Sequence, residues 1–529
     1  MLKPFVKKLV RRSVFLVVLI LCGAWGYSAH SAWVAQPLEL WHTYVPRDLT
    51  ASEMETATWQ TYLARENSVF DDVRQNVTMQ LPEEAKTLMN RYHEHSLIYP
   101  PRLLNDWNRS YLFYPEGNPK GVAVFLHGLT DTPYSLRHVA AYYRERGFIA
   151  LGIRLPGHGT VPAALTSATW QDWMAATHLA VREAVATIGP EKPLHLVGFS
   201  TGGALAVKYT LETLEDSRLH RPDRVILISP MIGITRFARF VGIAAVPAIL
   251  PPFAQAAWLS ILPEFNPFKY NSFPTNGARQ AYLLSATLQK HIVRLSTTEA
   301  FATLPPFLTF QSVLDYTVST PAVLYHLYAY LPQNGSELVL YDVNQAALLN
   351  KLMRPSVLTS LQRMLPGGMQ RYTLSIVKNR DPRDQRTMLV TQQPGQLQKQ
   401  STPLEYHYPK EIFSLSHGAV PFPENDPLYG LNLLVDEGSL YGVNLGSHSL
   451  RGERGGLVVP MDAMLRLSAS PFFPLLIEQV GKAIDDPRPP AGAPQRLPSQ
   501  PPPSEAVNKL IDAFLKEHAD DAISGATVF

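Results

Sequence analysis

Gly198-Phe199-Ser200-Thr201-Gly202 is where residue types and spacing first point to chemistry. A serine flanked at two residues on either side by glycine suits a turn too tight for larger side chains. The run Leu194–Val197 before it reads as a strand, and Gly202-Gly203-Ala204 after it opens a helix. Such a turn lifts the hydroxyl off the end of a sheet and sets it at a helix N-terminus. There, backbone N–H groups and the positive end of the helix dipole favour a developing oxyanion. By chance the pattern arises on the order of 0.1 times in a chain of this glycine content, so its weight comes from the strand–turn–helix setting. The bland alternative is an unreactive Gly/Ser turn.

A serine hydroxyl is a weak nucleophile until a base takes its proton, and the base needs an acid to orient it. With a serine on this kind of turn, the partners follow in the order acid, then histidine. Asp315, in Ser312-Val313-Leu314-Asp315-Tyr316-Thr317-Val318, sits four residues past the apolar run Phe307–Gln311. Asp342 is the rival acid, but it lies inside a strand pattern. The candidate histidines are His407, His417 and His448. His417 is favoured because Ser414-Leu415-Ser416-His417-Gly418 reads as a late loop, whereas His407 alternates with Tyr406 and Tyr408 as in a strand. Oxyanion donors are expected at the Thr201 N–H and at the Leu129 N–H, in His127-Gly128-Leu129 after the first buried strand. His127 itself and Leu155-Pro156-Gly157-His158-Gly159 read as loop architecture near the site.

The elements that must position these residues are legible from periodicity. Val122–Leu126, Phe148–Ile153, Leu194–Val197, Val225–Ser229, Phe307–Gln311 and Glu337–Val343 are short apolar runs suited to strands buried on both faces. Between them, Ser135–Arg146, Thr169–Ile188 and Ala204–Leu214 show helical spacing, and Thr169-x-x-Asp172 is a capping box. This alternation predicts an α/β fold with a mostly parallel sheet and helices on both faces. Phe240–Pro263 has no formal charge and four prolines, and predicts a lid or cap rather than a membrane span. The alternative there is a buried helix pair.

Together, His127-Gly128-Leu129, Pro156-Gly157-His158-Gly159, Gly198 to Gly203, Ser312 to Val318 and Ser416-His417-Gly418 resemble the α/β-hydrolase superfamily. More narrowly they resemble its branch of monoacylglycerol lipases, lysophospholipases and S33-type "serine aminopeptidases". The resemblance covers about Tyr111–Val343 and the stretch around His417. It implies the α/β-hydrolase fold, a helical cap between the fourth strand and the acid, and a triad of Ser200, Asp315 and His417. It does not reach the leader, the insertion between Asp342 and Tyr406, or the tail. The 102 residues from Asp315 to His417 exceed what such enzymes need.

Composition narrows the classes. Of 529 residues, 46% are hydrophobic and 17% charged, which supports a large core and excludes global disorder. The net charge is +3, but Lys3, Lys7, Lys8, Arg11 and Arg12 supply all of the excess. The rest carries no basic footprint for nucleic acid. The single cysteine, Cys22, excludes an intrachain disulfide. No metal-binding or nucleotide-binding motif is present, so neither metal nor cofactor is expected.

After the basic stretch, Ser13–Leu38 is uncharged and long enough to span a bilayer as a helix. The expectation is a membrane anchor with the body on the periplasmic or extracytoplasmic side. The alternatives are a signal peptide cleaved near Ala29-His30-Ser31 and a lipoprotein on Cys22. The partition expected is an anchor or signal over 1–34, an N-terminal extension over 35–110, and hydrolase core over 111–230. A helical cap follows over 231–303, then core over 304–344, an insertion over 345–403, and the core end with the histidine loop over 404–486. A Pro-rich linker and short tail helix close the chain over 487–529. The predicted function is a serine hydrolase acting on carboxylic esters, with a small-molecule or lipid ester as partner and protein partners left open. The competing functions are a non-catalytic envelope scaffold on the same fold, and a peptidase or acyltransferase using the same residues.

Overall fold

The computed structural model of the chain describes residues 37–233, 251–431 apart from 349, 441, 443–446 and 466–486, with scattered positions between Arg11 and Gly26. Most of the expected N-terminal anchor, the first part of the apolar stretch 240–263, and the Pro-rich tail lie outside the described residues. So does His448. Among the described residues, no helix is long and apolar enough to cross a membrane.

Side-chain alternation along the strands builds three layers. The strands are β1 Tyr111–Phe113, β2 Gly121–Leu126, β3 Phe148–Ile153, β4 Leu194–Phe199 and β5 Arg224–Ile228. A small ribbon follows, β6 Trp258–Ser260 with β7 Phe273–Pro274. Then come β8 Phe307–Ser312, β9 Glu337–Tyr341, β10 Thr373–Asn379, β11 Arg386–Gln392 and β12 Lys399–His407. Ten of them form one sheet in the order β1-β3-β2-β4-β5-β8-β9-β10-β11-β12. From β3 to β10 every neighbouring pair is parallel, and the edge pairs β1–β3, β10–β11 and β11–β12 are antiparallel.

Val122, Val124, Leu126, Leu194, Leu196, Val225 and Leu227 face one layer, with Trp173, Leu179 and Leu205. Ala123, Phe125, Val197, Phe199, Ile226 and Ile228 face the other, with Leu136, Val139, Leu475, Leu476 and Val480. The helices follow the same logic: α1 Trp59–Asn76, α2 Arg137–Glu145, α3 Trp170–Ile188, α4 Thr201–Glu212, α5 Thr275–Leu295 and α6 Phe473–Asp485. The Thr169/Asp172 capping box closes α3 as the spacing predicts. Where a helical cap is expected, the described residues hold the β6–β7 ribbon and α5. Leu284, Leu288 and Ile292 of α5 are buried in the same cluster as the strands, so this helix is packed on the core.

The 102 residues separating Asp315 from His417 have a structural cause. β9 to β12 occupy most of the interval and carry the sheet outward, so the segment expected to be an insertion continues the main sheet. β12 ends it with a polar, exposed face that includes Lys399, Pro403 and Glu405, features that discourage pairing with another chain. The chain then returns across the ends of β9 and β8. Asn344 donates to the carbonyls of Ile412 at 2.7 Å and Pro409 at 3.1 Å, and the Ser312 hydroxyl donates to the Leu415 carbonyl at 2.8 Å.

The N-terminal extension is fastened to the core by a buried charge. Arg154, the residue after β3, donates from Nε to Glu66 of α1 at 3.1 Å and from Nη1 to Asp48 at 3.1 Å. Its carbonyl accepts the Tyr62 hydroxyl. Removing one partner of a buried ion pair costs about 3–5 kcal/mol, because the other charge stays buried and uncompensated. Glu66→Ala should therefore lower the thermal midpoint of the whole protein clearly, read by circular dichroism. An unchanged midpoint would show that the extension is not held this way.

Candidate active site

Two close approaches fold the chain sharply at Ser200. A Cβ on Gly198 would lie 2.4 Å from the Gly202 carbonyl oxygen, and one on Gly202 would lie 1.9 Å from that of Leu126. Only glycine fits either place. Ser200 takes φ 53° and ψ −115°, a conformation non-glycine residues rarely adopt, at a cost of about 1–3 kcal/mol. The strain is held by backbone bonds. The Ser200 N–H donates to Ile228 O at 3.1 Å, and its carbonyl accepts from Gly203 at 3.0 Å and Met231 at 2.9 Å. The serine stands between β4 and α4 at the carboxyl ends of the central strands, and the residue is 8% exposed.

Asp315 follows β8 and is buried. His417 lies in a short turn, His417–Ala419, beyond β12. The fold brings them together with His417 Nδ1 2.9 Å from Asp315 Oδ2. The other carboxylate oxygen, Oδ1, accepts the N–H groups of Thr317 at 2.8 Å and Val318 at 2.9 Å. Burial alone would raise this carboxyl's pKa. The charge and hydrogen bond of His417, with the two backbone donors, outweigh burial and hold it below the usual range. The imidazole lies against the Phe199 ring, 5.2 Å between centroids, which places it beside the residue preceding Ser200. With Nδ1 given to the acid, Nε2 is the nitrogen left for a hydroxyl.

Asp342 is not part of this arrangement. Its Oδ1 accepts from the Val343 N–H at 2.8 Å, and burial pushes its pKa up to about 6. His407 sits at the exposed end of the edge strand β12. One residue escaped the sequence reading. Gln311 donates from Nε2 to Asp315 Oδ2 at 3.0 Å and is also 3.0 Å from Thr320 Oγ1. It is the last residue but one of β8, and a glutamine in a strand buried along its whole length is the signal that could have revealed it.

Leu129 lies in the loop after β2, and Thr201 is the first residue of α4. Among the described residues, neither backbone N–H has an acceptor, so both can donate to a ligand oxygen. The floor of this loop is fixed by His127. Its Nε2 accepts the Leu155 N–H at 3.0 Å, so Nδ1 carries the proton donated to Gly128 O at 2.9 Å. Burial first, then the neighbouring His158, holds the His127 pKa well below its ordinary value. Both histidines are structural and neutral. Farther out, Asp426 ties the loop after His417 to the helical segment behind the Leu129 loop. It accepts from Arg137 at 2.5 Å, His138 at 2.8 Å and Tyr134 at 3.0 Å.

Residues 123–370 match the alpha/beta hydrolase family. The sheet order and this match together give the chain the α/β-hydrolase fold. Over 191 residues the chain is 28% identical to the thermostable monoacylglycerol lipase of Bacillus sp. (strain H-257), covering 35% of this chain and 68% of that protein. Similar solved structures include one from work on LipS and LipT, two metagenome-derived lipolytic enzymes. It is 22% identical with a TM-score of 0.36, covering 45% of this chain and 88% of the other. A soluble variant of monoglyceride lipase from Saccharomyces cerevisiae, in complex with a substrate analog, is 14% identical with a TM-score of 0.34. That match covers 44% of this chain and 81% of the other.

Burial keeps the imidazoles of His127 and His158 neutral, which gives the protein an acid limit. Burial lowers the His158 pKa to about 4 from an ordinary 6.5. Between those pH values the unfolded chain binds more protons than the folded one, so stability falls as pH falls. Thermal midpoints from pH 7 to 4 should decline, and His158→Gln should flatten part of that decline. Parallel curves for both proteins would place the titration elsewhere.

Proposed function

We propose that this α/β hydrolase cleaves carboxylic esters of lipid-like acids through an acyl-enzyme on Ser200. The observation that carries the reading is the 2.9 Å contact of His417 with buried Asp315, across 102 residues, beside a strained serine turn. Ser200 Oγ attacks the ester carbonyl while His417 Nε2 takes its proton. Asp315 keeps the imidazole in the tautomer that can accept, and stabilises the imidazolium that forms. The Leu129 and Thr201 N–H groups receive the charge that develops on the carbonyl oxygen. His417 then gives its proton to the departing alcohol. Water, activated by the same imidazole, releases the acid and restores Ser200. Gln311 is a positioning residue that acts through Asp315.

The lipid-like character of the acyl group is supported by the name of the Bacillus relative and by the uncharged stretch Phe240–Pro263. The same reading places the body outside the cytoplasm. Its support is the basic cluster Lys3–Arg12 followed by uncharged Ser13–Leu38, and release of the full-length protein from membranes by high salt would argue against an anchor.

Ser200→Ala should abolish labelling by a fluorophosphonate probe and reduce ester turnover by about 10⁴-fold or more. Asp315→Asn should lose about 10⁴-fold in kcat, as expected when the histidine loses its orienting acid. Asp342→Asn should retain activity within a few-fold. Persistent labelling of Ser200→Ala, or the reverse ranking of the two aspartates, would overturn the assignment.

A further inference from the structure

The turn at 87–90 in the N-terminal extension departs from ordinary turn chemistry. The Asn90 N–H donates to Thr87 O at 3.3 Å, and the two residues at the tip are Leu88 and Met89. Turn tips favour glycine, proline, asparagine, aspartate and serine. Leu97 stands beside the tip, because its N–H donates to Leu88 O at 3.0 Å. Leu88 is 60% exposed, Leu97 53% and Met89 38%. Charges nearby are spent on each other, Lys86 on Glu83 at 2.6 Å and Arg74 on Glu94 at 3.1 Å.

This tip is tied to the loops around Ser200. Arg91, the residue after the turn, is buried. Its N–H donates to Glu264 O at 3.1 Å, and its guanidinium donates to Asn266 O at 3.2 Å, Asn108 Oδ1 at 3.0 Å and Gly159 O at 3.3 Å. The Tyr92 hydroxyl donates to Thr160 O at 3.2 Å. The segment that Arg91 reaches is bonded in turn to the loop that presents Leu129. The Tyr270 N–H donates to Thr130 O at 2.8 Å, and the Thr132 hydroxyl donates to Phe268 O at 2.8 Å. A chain of buried hydrogen bonds thus runs from the apolar tip to the edge of the candidate site, and satisfied networks of this kind are stiff.

The same tip lies near the place where the uncharged stretch joins the body. Trp41 stacks on Tyr92 with 5.2 Å between ring centroids. Leu38 and Leu40 pack on the cluster that holds Leu81, Ala85 and Tyr92. Leu38 is the last residue of uncharged Ser13–Leu38 and precedes Trp41 by three residues, a reach of about 10 Å at most. A membrane entered by that stretch comes within reach of the turn. Three apolar side chains are too few for a stable protein interface, which takes about 800 Å² from each partner. They suffice for a second contact with a bilayer to which an anchor already holds the protein.

We propose that the turn at 87–90, with Leu97, is a lipid-contacting foot. It enters the boundary between headgroups and acyl chains and holds the Ser200 site at a fixed height over the bilayer, so that esters resident in the membrane reach it. This rests on the anchored reading of Ser13–Leu38.

The test uses the full chain reconstituted in phosphatidylcholine vesicles. In a Cys22→Ser background, Met89→Cys carries a bimane label. Leu397→Cys, exposed between β11 and β12, carries the same label as the control. Spin-labelled lipids should quench the label at 89 and leave the one at 397 unchanged. Leu88→Asp combined with Leu97→Asp should raise KM for a monoacylglycerol held in vesicles by about tenfold, since charge resists entry into the acyl boundary. Turnover of a soluble p-nitrophenyl ester should stay unchanged in that variant. A label at 89 that escapes quenching in protein retained by the vesicles overturns the foot and leaves the anchor and the esterase standing. So does an unchanged vesicle KM in the folded double variant. Protein that does not stay with the vesicles overturns anchor and foot together. The quenching decides the foot even if neither ester is hydrolysed.

Discussion

Asp315 carries its negative charge in a place where burial by itself would favour the neutral acid. It stays ionised because His417, Gln311 and two backbone N–H groups all aim at its two oxygens. Each donor comes from a different commitment of the fold. Gln311 requires β8 in register, Thr317 and Val318 require the tight turn after it, and His417 requires the chain to return from the far edge of the sheet. A slip of one residue along β8 would turn Gln311 to the other face and leave the carboxylate short of partners. The charge therefore couples the outer strands to the centre of the molecule, and the crossing at Ser312, Asn344 and Leu415 is where that coupling is made.

Ser200 shows the complementary constraint. It is held in an unfavourable conformation by shape: glycines at 198 and 202 let β4 and α4 approach more closely than any side chain would permit. The candidate site is built from one strained backbone unit and one satisfied charge. The first is local and the second spans 102 residues.

That difference explains what could be read in the sequence. The turn at Ser200, the capping box at Thr169 and the buried strands β2, β3, β4, β5, β8 and β9 depend on neighbours a few residues apart, so composition and periodicity expose them. β11 and all but the end of β12 at Tyr406-His407 escaped because their burial is weak and their polar alternation resembles a loop. The choice of Asp315 over Asp342 followed from loop placement; in the structure Asp315 is the one that meets His417, while Asp342 accepts from the backbone next to it. Gln311, and the clamp of Asp48 and Glu66 on Arg154, are pairings across 4, 106 and 88 residues. The short one was hidden by strand periodicity and the long ones by the absence of any local trace.

The clamp on Arg154 also sets a timetable for folding. Glu66 and Asp48 leave the ribosome well before the guanidinium they serve, and α1 has its apolar stripe of Trp59, Tyr62, Val69 and Val73 ready with nothing to cover it. The clamp cannot close until β3 and Arg154 are in place, so α1 is expected to settle after the strand it packs beside. Long sequence separation of this sort slows folding. During that interval the aromatic face of α1 is the surface that chaperones would meet.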